Sequence, residues 1–308
     1  MSNHRSSQGG LTWATGLFAL VFAGSAGAAP STIAKAQLET TNLGTYTYQT
    51  LDYPAASQTI LWGINDLGEL AGQFAIDGGT AHAMIYRDGH FEPLNPDGLF
   101  GDYFSAAGGP NDFGTTFGGY TDASGQQHGF VIRWGNVETV DFPGHLNSNV
   151  DGVNLFGAIA GVYWGADGIH HGVLRRHGHD TPIDVPGARE TYPLGIGNNG
   201  EIIGYSDTNP YQTHGFIRVA NGKYSSIDVP GAAGTVAFAI NDVGQTAGYY
   251  YDASGVFHGF VEAKGQFRTL DMPGAKSTFV TTINNFGVVA GEYADAAGKR
   301  HGFFATPW

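Results

Sequence analysis

Six glycine–histidine pairs, each spanning fourteen residues, divide this 308-residue chain into near-equal units: Gly68/His82, Gly114/His128, Gly157/His171, Gly200/His214, Gly244/His258 and Gly287/His301. The glycines follow one another at intervals of 46, 43, 43, 44 and 43 residues. A period in the low forties, rich in β-branched and aromatic residues, has the length of one four-stranded propeller blade. With 13% aromatic residues, 49 glycines and only 13% charged residues, the composition suits short strands and tight turns better than helices.

Each unit reads as four strands. The first ends in Ile-Asn-Asp-x-Gly, as at Ile64–Gly68 and Ile240–Gly244, a turn in which glycine supplies positive φ. The second opens with glycine in all six copies (Gly72, Gly118, Gly161, Gly204, Gly248, Gly291). The third opens with the histidine, as in His128-Gly129-Phe130. The fourth ends in Asp-x-Pro-Gly, as in Asp141-Phe142-Pro143-Gly144, where proline stops the ladder.

The ends of the chain carry the decisive register. The last unit stops after its third strand, and the missing fourth lies at the other end of the chain, where Tyr46–Pro54 matches Phe267–Pro273. This offset predicts an all-β, six-bladed β-propeller over residues 45–308, closed by the N-terminal strand completing the last blade, with 44 residues per blade. Closure removes the open sheet edges of a tandem array. A linear β-solenoid is the alternative, and the offset termini argue against it.

Upstream of the repeats, residues 1–28 read as a secretory signal peptide: His4 and Arg5, an apolar Leu11–Ala23 stretch, and an Ala26-Gly27-Ala28 cleavage site. An uncleaved N-terminal anchor is the alternative. Residues 29–44 read as an N-terminal tail, a leader or a loosely docked segment. No other stretch approaches the roughly 20 apolar residues of a membrane helix. The expected location is therefore exported, periplasmic or extracellular, with no membrane span after cleavage. The chain has no cysteine, so packing and ring closure must stabilise it in place of disulfides. Without residues 1–28 it carries 13 basic and 27 acidic residues, a net charge of −14 that argues against nucleic-acid partners. The chain is read as a monomer.

The His-Gly-Phe motifs at His128, His214, His258 and His301, with the weaker His82-Ala83-Met84, resemble the bacterial HAF family of extracellular repeat proteins. The flanking Ile-Asn-Asp-x-Gly and Asp-x-Pro-Gly motifs extend that resemblance over nearly the whole mature chain. It implies export and a repeated β architecture, and no activity, substrate or catalytic residue. The third unit departs most, with His171-Gly172-Val173 and Asn154-Leu155-Phe156-Gly157.

Residues present in every blade are expected to build the ring. Third-strand histidines lie roughly 10 Å outside the innermost strand. Neighbouring histidines are then too far apart to share a zinc ion, whose ligands sit at about 2 Å. No metal site and no cofactor are expected. Instead His128/Asp141, His171/Asp184, His214/Asp228 and His258/Asp271 should pair across hairpins, His82 should face Asn95, and His301/Asp52 should tie the last blade to the first strand. Loops such as Asp122–Gly125, Asp252–Gly255 and Asp295–Gly298 read as hairpin turns, lacking the six or more oxygens calcium needs. A Ser or Thr in each first strand (Thr59, Ser105, Ser148, Thr191, Thr235, Thr278) reads as a cap of the strand start or a ring of hydroxyls at the channel mouth.

Function is expected where the repeat breaks, on the face bearing the loops from strand two to three and from strand four to the next blade. Candidate ligand-binding residues there are Asp102, Tyr103, Asn147, Trp164, Arg189, Glu190, Tyr192 and Tyr211, on blades two to four. Aromatic faces beside polar groups suit carbohydrate. The leading expectation is a non-catalytic binding module for a glycan or an envelope protein. The alternative is an enzyme on the same face. Tyr192 and His170 could serve a polysaccharide lyase beside Arg189, or Glu190 and Asp151 a glycoside hydrolase, whose carboxylates must stand about 5 to 9.5 Å apart.

Overall fold

The computed structural model describes residues 34–35, 37–43, 46–76, 78–95, 105–142, 144, 146–209 and 212–308. The signal-peptide segment and the candidates Asp102, Tyr103 and Tyr211 lie outside them. Two short strands lead the chain, β1 (Ala34–Lys35) and β2 (Gln37–Leu43), followed by β3 (Tyr46–Asp52). Blade one is β4 (Gln58–Ile64), β5 (Leu70–Ala75), β6 (His82–Arg87) and β7 (His90–Pro93). Blade two is β8 (Ser105–Gly108), β9 (Thr116–Thr121), β10 (Gln127–Arg133) and β11 (Asn136–Val140). Blade three is β12 (Asn147–Val153), β13 (Ile159–Trp164), β14 (His170–Arg176) and β15 (His179–Pro182). Blade four is β16 (Glu190–Ile196), β17 (Ile202–Asn209), β18 (Gln212–Arg218) and β19 (Tyr224–Ser226). Blade five is β20 (Gly234–Ile240), β21 (Gln245–Tyr251), β22 (Phe257–Ala263) and β23 (Gln266–Leu270). Blade six is β24 (Ser277–Ile283), β25 (Val289–Ala294), β26 (Arg300–Pro307) and the N-terminal β3.

The fold is the expected six-bladed propeller. β3 pairs antiparallel with β26, setting Thr50 opposite Phe303 and Tyr46 opposite Pro307. Within the segment read as a tail, β2 adds a fifth, outer strand against β3, and β1 pairs with β7 of blade one. The apolar cores lie between neighbouring blades: Leu51 of blade six, for example, packs with Leu61, Phe74, Met84 and Phe91 of blade one.

Repeated residues stitch the blades in three places. First, each described Asp-x-Pro-Gly segment donates the x-residue amide to the Ser or Thr of the next blade. Tyr53, Phe142, Val185, Val229 and Met272 donate to Thr59, Ser148, Thr191, Thr235 and Thr278 at 2.9–3.0 Å. These hydroxyls are caps, not a channel ring. Second, the Ile-Asn-Asp-x-Gly turns bond to one another around the axis. Asn284 donates through Nδ2 to the Asn65 carbonyl at 3.1 Å, and Asn241 to that of Asn284 at 2.9 Å. The Asp66 amide donates to Asp112 and the Asn285 amide to Asp66, both at 2.8 Å. Third come the predicted histidine pairs. His128, His171, His214 and His258 place Nδ1 2.9–3.2 Å from Asp141, Asp184, Asp228 and Asp271.

His301 Nδ1 lies 2.6 Å from Asp52, whose other oxygen accepts the Gly302 amide at 3.2 Å. A tyrosine backs the ring in four blades, as where Tyr293 stacks on His301 at 5.0 Å. The acidic loops act as turns: Asp122 Oδ1 accepts the amides of Ser124 and Gln126.

The closing pair is better shielded than its equivalents, with side chains 15% and 28% exposed against 49% and 38% for His214/Asp228. The pair also reinforces the β3–β26 ladder that holds the N-terminal strand in blade six. Asp52→Ala is expected to lower unfolding free energy by about 1.5–3 kcal/mol, and Asp228→Ala by under about 1 kcal/mol. Urea denaturation of both variants checks this, and equal losses would refute closure through this pair.

Candidate functional site

The innermost strand of five blades contains a β-bulge at one common position. Its register shifts between Leu61 and Gly63, Val150 and Gly152, Pro193 and Gly195, Ala237 and Ala239, and Val280 and Thr282. A bulge re-aims the extra residue. Here Trp62, Asp151, Leu194, Phe238 and Thr281 line the axial cavity, which encloses about 190 Å³. The bulge also explains the glycine near the start of the second strand in these blades. A Cβ at Gly72, Gly204, Gly248 or Gly291 would stand 1.9–2.1 Å from the carbonyl oxygen of the facing strand. Blade two has Gly108 at the bulge position, and Phe117 from its second strand fills that sector.

Trp62 and Phe238 stack at 5.9 Å and share a cluster with Leu194, so apolar side chains fill the middle of the channel. The cavity opens from there toward the Ile-Asn-Asp-x-Gly turns, past Asp66, Asp112, Asn198, Asp242 and Asn285. Asn198 Nδ2 donates to both Asp242 oxygens at 2.9 and 3.0 Å, and Asn285 Nδ2 to Asp66 at 2.9 Å. Deeper in, Asn149 donates to Asp151 Oδ1 at 2.5 Å, while Asp151 Oδ2 is shielded and finds no protein donor. Burial raises the Asp151 carboxyl to about 8, against the opposing bond from Asn149.

The opposite face carries the sequence-predicted patch, and the structure sorts its members. Trp164 and His170 are cross-strand partners with rings 4.8 Å apart. His170 stacks on Tyr192 at 4.8 Å, and Tyr192 on Tyr205 at 4.5 Å, giving an aromatic column at the junction of blades three and four. Arg189 stands half-exposed above it, 3.8 Å from Glu190. Asn147 faces Trp164 across the sheet and accepts the Gln127 amide at 3.1 Å, tying blade two to blade three.

Two expectations need correction. Tyr192 and Glu190 are 8% and 6% exposed, so they support the patch from below and are not surface contacts. Tyr192 donates to Glu190 at 3.0 Å, and burial followed by the Glu190 charge holds its hydroxyl far above the ordinary phenol range, which gives no support to a general-base role. Asp151 is not part of the patch at all. It lies four residues down β12 from Asn147, about 10 Å or more of strand rise, and points into the axial cavity. Glu190 instead lies at the loop-face end of β16, beside Arg189 and Tyr192.

Sequence reasoning missed the axial residues Trp62, Phe238 and Thr281. Their signal was present: two residues before the Ile of each turn motif stand Trp62, Gly108, Asp151, Leu194, Phe238 and Thr281, all different between repeating neighbours. Buried Asp207 was missed too. It accepts Thr213 Oγ1 at 2.8 Å, and its carboxyl is raised to about 6, chiefly by burial. Burial lowers His170 against the pull of Glu190.

The fold matches solved propellers. A TolB candidate from Agrobacterium tumefaciens superposes with a TM-score of 0.59 at 11% identity, over 88% of this chain and 99% of that one. AofleA from Arthrobotrys oligospora gives 0.54 at 13% identity, over 84% and 86%. A variant of the Aleuria aurantia lectin in complex with α-methyl-L-fucoside gives 0.50 at 10% identity, over 83% and 93%. These likenesses establish a shared architecture. No family model matches the chain, and no curated protein matches it in sequence. No helix of the described residues is long and apolar enough to cross a membrane.

The raised carboxyls set a pH dependence. Asp151 and Asp207 bind protons more tightly when folded than when unfolded, so their contribution is complete below about pH 4 and is lost as pH rises through about 6 and 8. Asp122 and Asp252, lowered to about 2 by hydrogen bonds within their turns, act oppositely and only in acid. Asp151→Asn is therefore expected to be more stable than the wild type at high pH. The expected gain is about 1–2 kcal/mol, discounted from the full linkage value because the residue is only partly buried. Melting temperatures at about pH 5 and about pH 8 check this: the decline should be shallower in the variant, and parallel curves would refute it.

Proposed function

We propose that the protein is an exported, non-catalytic binding module of the HAF type, recognising a glycan at the junction of blades three and four. The observation that carries this reading is the aromatic column Trp164–His170–Tyr192–Tyr205, which reaches the surface beside the Arg189 guanidinium. Trp164 offers a half-buried ring for the apolar face of a sugar, and Arg189 a planar donor set for hydroxyls or a carboxylate. The patch is rigid because each ring is braced by the next, so binding need not order it. Glu190 beneath Arg189 fixes the position of that side chain. The lectin that shares the architecture was crystallised with a fucoside, which makes monosaccharide-bearing polymers the first ligands to try.

A glycan array followed by calorimetry on the best ligand tests the proposal. Trp164→Ala is expected to weaken binding about three- to ten-fold, the free-energy equivalent of one lost aromatic contact. Arg189→Ala should weaken acidic glycans most. Both residues are partly or largely exposed, so the variants should fold. Turnover of any polysaccharide, seen as new reducing ends or ultraviolet absorbance, would overturn the non-catalytic assignment.

A further inference from the structure

The turn face carries a collar that the repeat does not require. The x residues of the six Ile-Asn-Asp-x-Gly turns are Leu67, Phe113, Phe156, Asn199, Val243 and Phe286. The five apolar ones are 67–78% exposed. Turn stereochemistry demands the closing glycine, and a polar x residue serves as well as an apolar one, as Asn199 shows. Five large apolar side chains circling one opening make the kind of patch that marks an interaction surface.

Inside the collar every charge has one sign. Asp66, Asp112, Asp151 and Asp242 line the axial cavity, and no Lys, Arg or His does. Among the described residues none of the four carboxylates has a cationic partner. Their donors are neutral: the amides of Asn149, Asn198 and Asn285 and backbone N–H groups. Of the cavity's own carboxylate atoms, Asp151 Oδ2 is shielded and lacks a donor. Buried polar atoms without partners are rare and call for one. Among the described residues no three acidic or histidine groups converge as metal ligands must, so an organic cation fits better than a metal ion. Trp62, Phe117 and Phe238 supply apolar and π surfaces for its stem. The cavity, at about 190 Å³, is smaller than a drug-sized pocket and has room for one slender side chain.

We propose that the turn face docks a protein partner through a projecting apolar segment whose lysine enters the axial cavity, with the ammonium directed to Asp151 and the flanking apolar residues seated on the collar. Lysine, a compact point charge on a flexible stem, suits a narrow channel better than the planar arginine fork. A free amine would make no use of the collar. A second copy of this chain would oppose one acidic mouth to another, which like-charge repulsion disfavours. The site lies at the other end of the axis from the glycan patch and does not rest on it.

Calorimetry on the full chain, with the capped pentapeptide Ala-Phe-Lys-Phe-Ala as probe, tests this. Saturable binding is expected, at least ten-fold weaker for the norleucine analogue and for Asp151→Asn. Asp112→Asn retains the Oδ1 acceptor for the Asp66 amide, so the turn ring persists, and it should weaken the peptide about three-fold through lost charge. The double variant Phe113→Ser/Phe156→Ser should weaken the peptide several-fold and leave pentylamine binding unchanged. Wild-type affinity should rise between about pH 6 and pH 9 as Asp151 releases its proton to solvent and meets the ammonium as a carboxylate, faced in the cavity by Asp66, Asp112 and Asp242, with no such rise in Asp151→Asn. Trp164→Ala should change none of this.

Equal affinity for the norleucine peptide, full affinity in Asp151→Asn, or no saturable signal in the low-millimolar range would overturn the proposal. So would pentylamine binding as tightly as the peptide, which would make the cavity a small-amine site. A wild-type dimer dissociated by the serine substitutions would also overturn it, by assigning the collar to self-association.

Discussion

The bulge in the innermost strand is the constraint on which the rest of the structure depends. It places a carbonyl oxygen directly over the second strand, where no side chain has room, and so fixes a glycine at Gly72, Gly161, Gly204, Gly248 and Gly291. It also turns one side chain per blade toward the axis in five of the six. The ring needs the glycine to be invariant, but it places no such demand on the bulge residue. Trp62, Asp151, Leu194, Phe238 and Thr281 therefore share a backbone setting and almost nothing in chemistry. A closed six-fold frame thus acquires an asymmetric interior without disturbing any sheet.

Ring closure then decides how firmly that interior is held. The turns of the inner strands bond around the axis, with Asn65, Asn154, Asn241 and Asn284 accepting amides of their own turns and donating to a neighbouring blade, as Asn284 does to Asn65. Blade three interrupts the outer set of these bonds, because Leu155 stands where other blades have Asp or Asn and offers no side-chain acceptor. The same blade carries Asp151, whose carboxyl is raised by burial. The seam between blades two and three is consequently the least cross-linked part of the turn ring, and Asn147 reinforces it from the opposite face by accepting the Gln127 amide. The circle is completed at Asp52, which binds both the ring and the following amide of the His301 segment.

Most of the fold could be read from the sequence because a repeat exposes its own grammar. A histidine and an aspartate thirteen or fourteen residues apart in four units can pair only if the hairpin is formed, and the single pair split between the chain ends, Asp52 and His301, identifies the closure. Half of the loop-face patch was legible for a similar reason: Trp164, His170 and Arg189 interrupt the pattern at predicted loop ends. Depth was not legible. Alternation places Glu190 and Tyr192 on one face of β16, but whether that face meets solvent or the next blade depends on packing that spacing alone does not encode. Asp151 was misplaced for the same reason. Counting along a strand gives its row, and only the bulge gives its direction.

The two ends of the axis differ in what their chemistry excludes. On the loop face, Arg189 sits over buried Glu190, so charge is locally balanced and recognition must come from ring faces and hydrogen-bond geometry. On the turn face, three carboxylates at the mouth and one within take hydrogen bonds from neutral donors alone, and burial favours the protonated form of the inner one, Asp151, up to about pH 8. An apolar partner alone would leave those carboxylates desolvated and unpaired, a cost of several kcal/mol per buried charge. A cation alone would leave five large apolar side chains in water. Only a guest carrying both kinds of surface satisfies the whole face, and a protein segment with one basic residue among apolar neighbours is the simplest chemistry of that description.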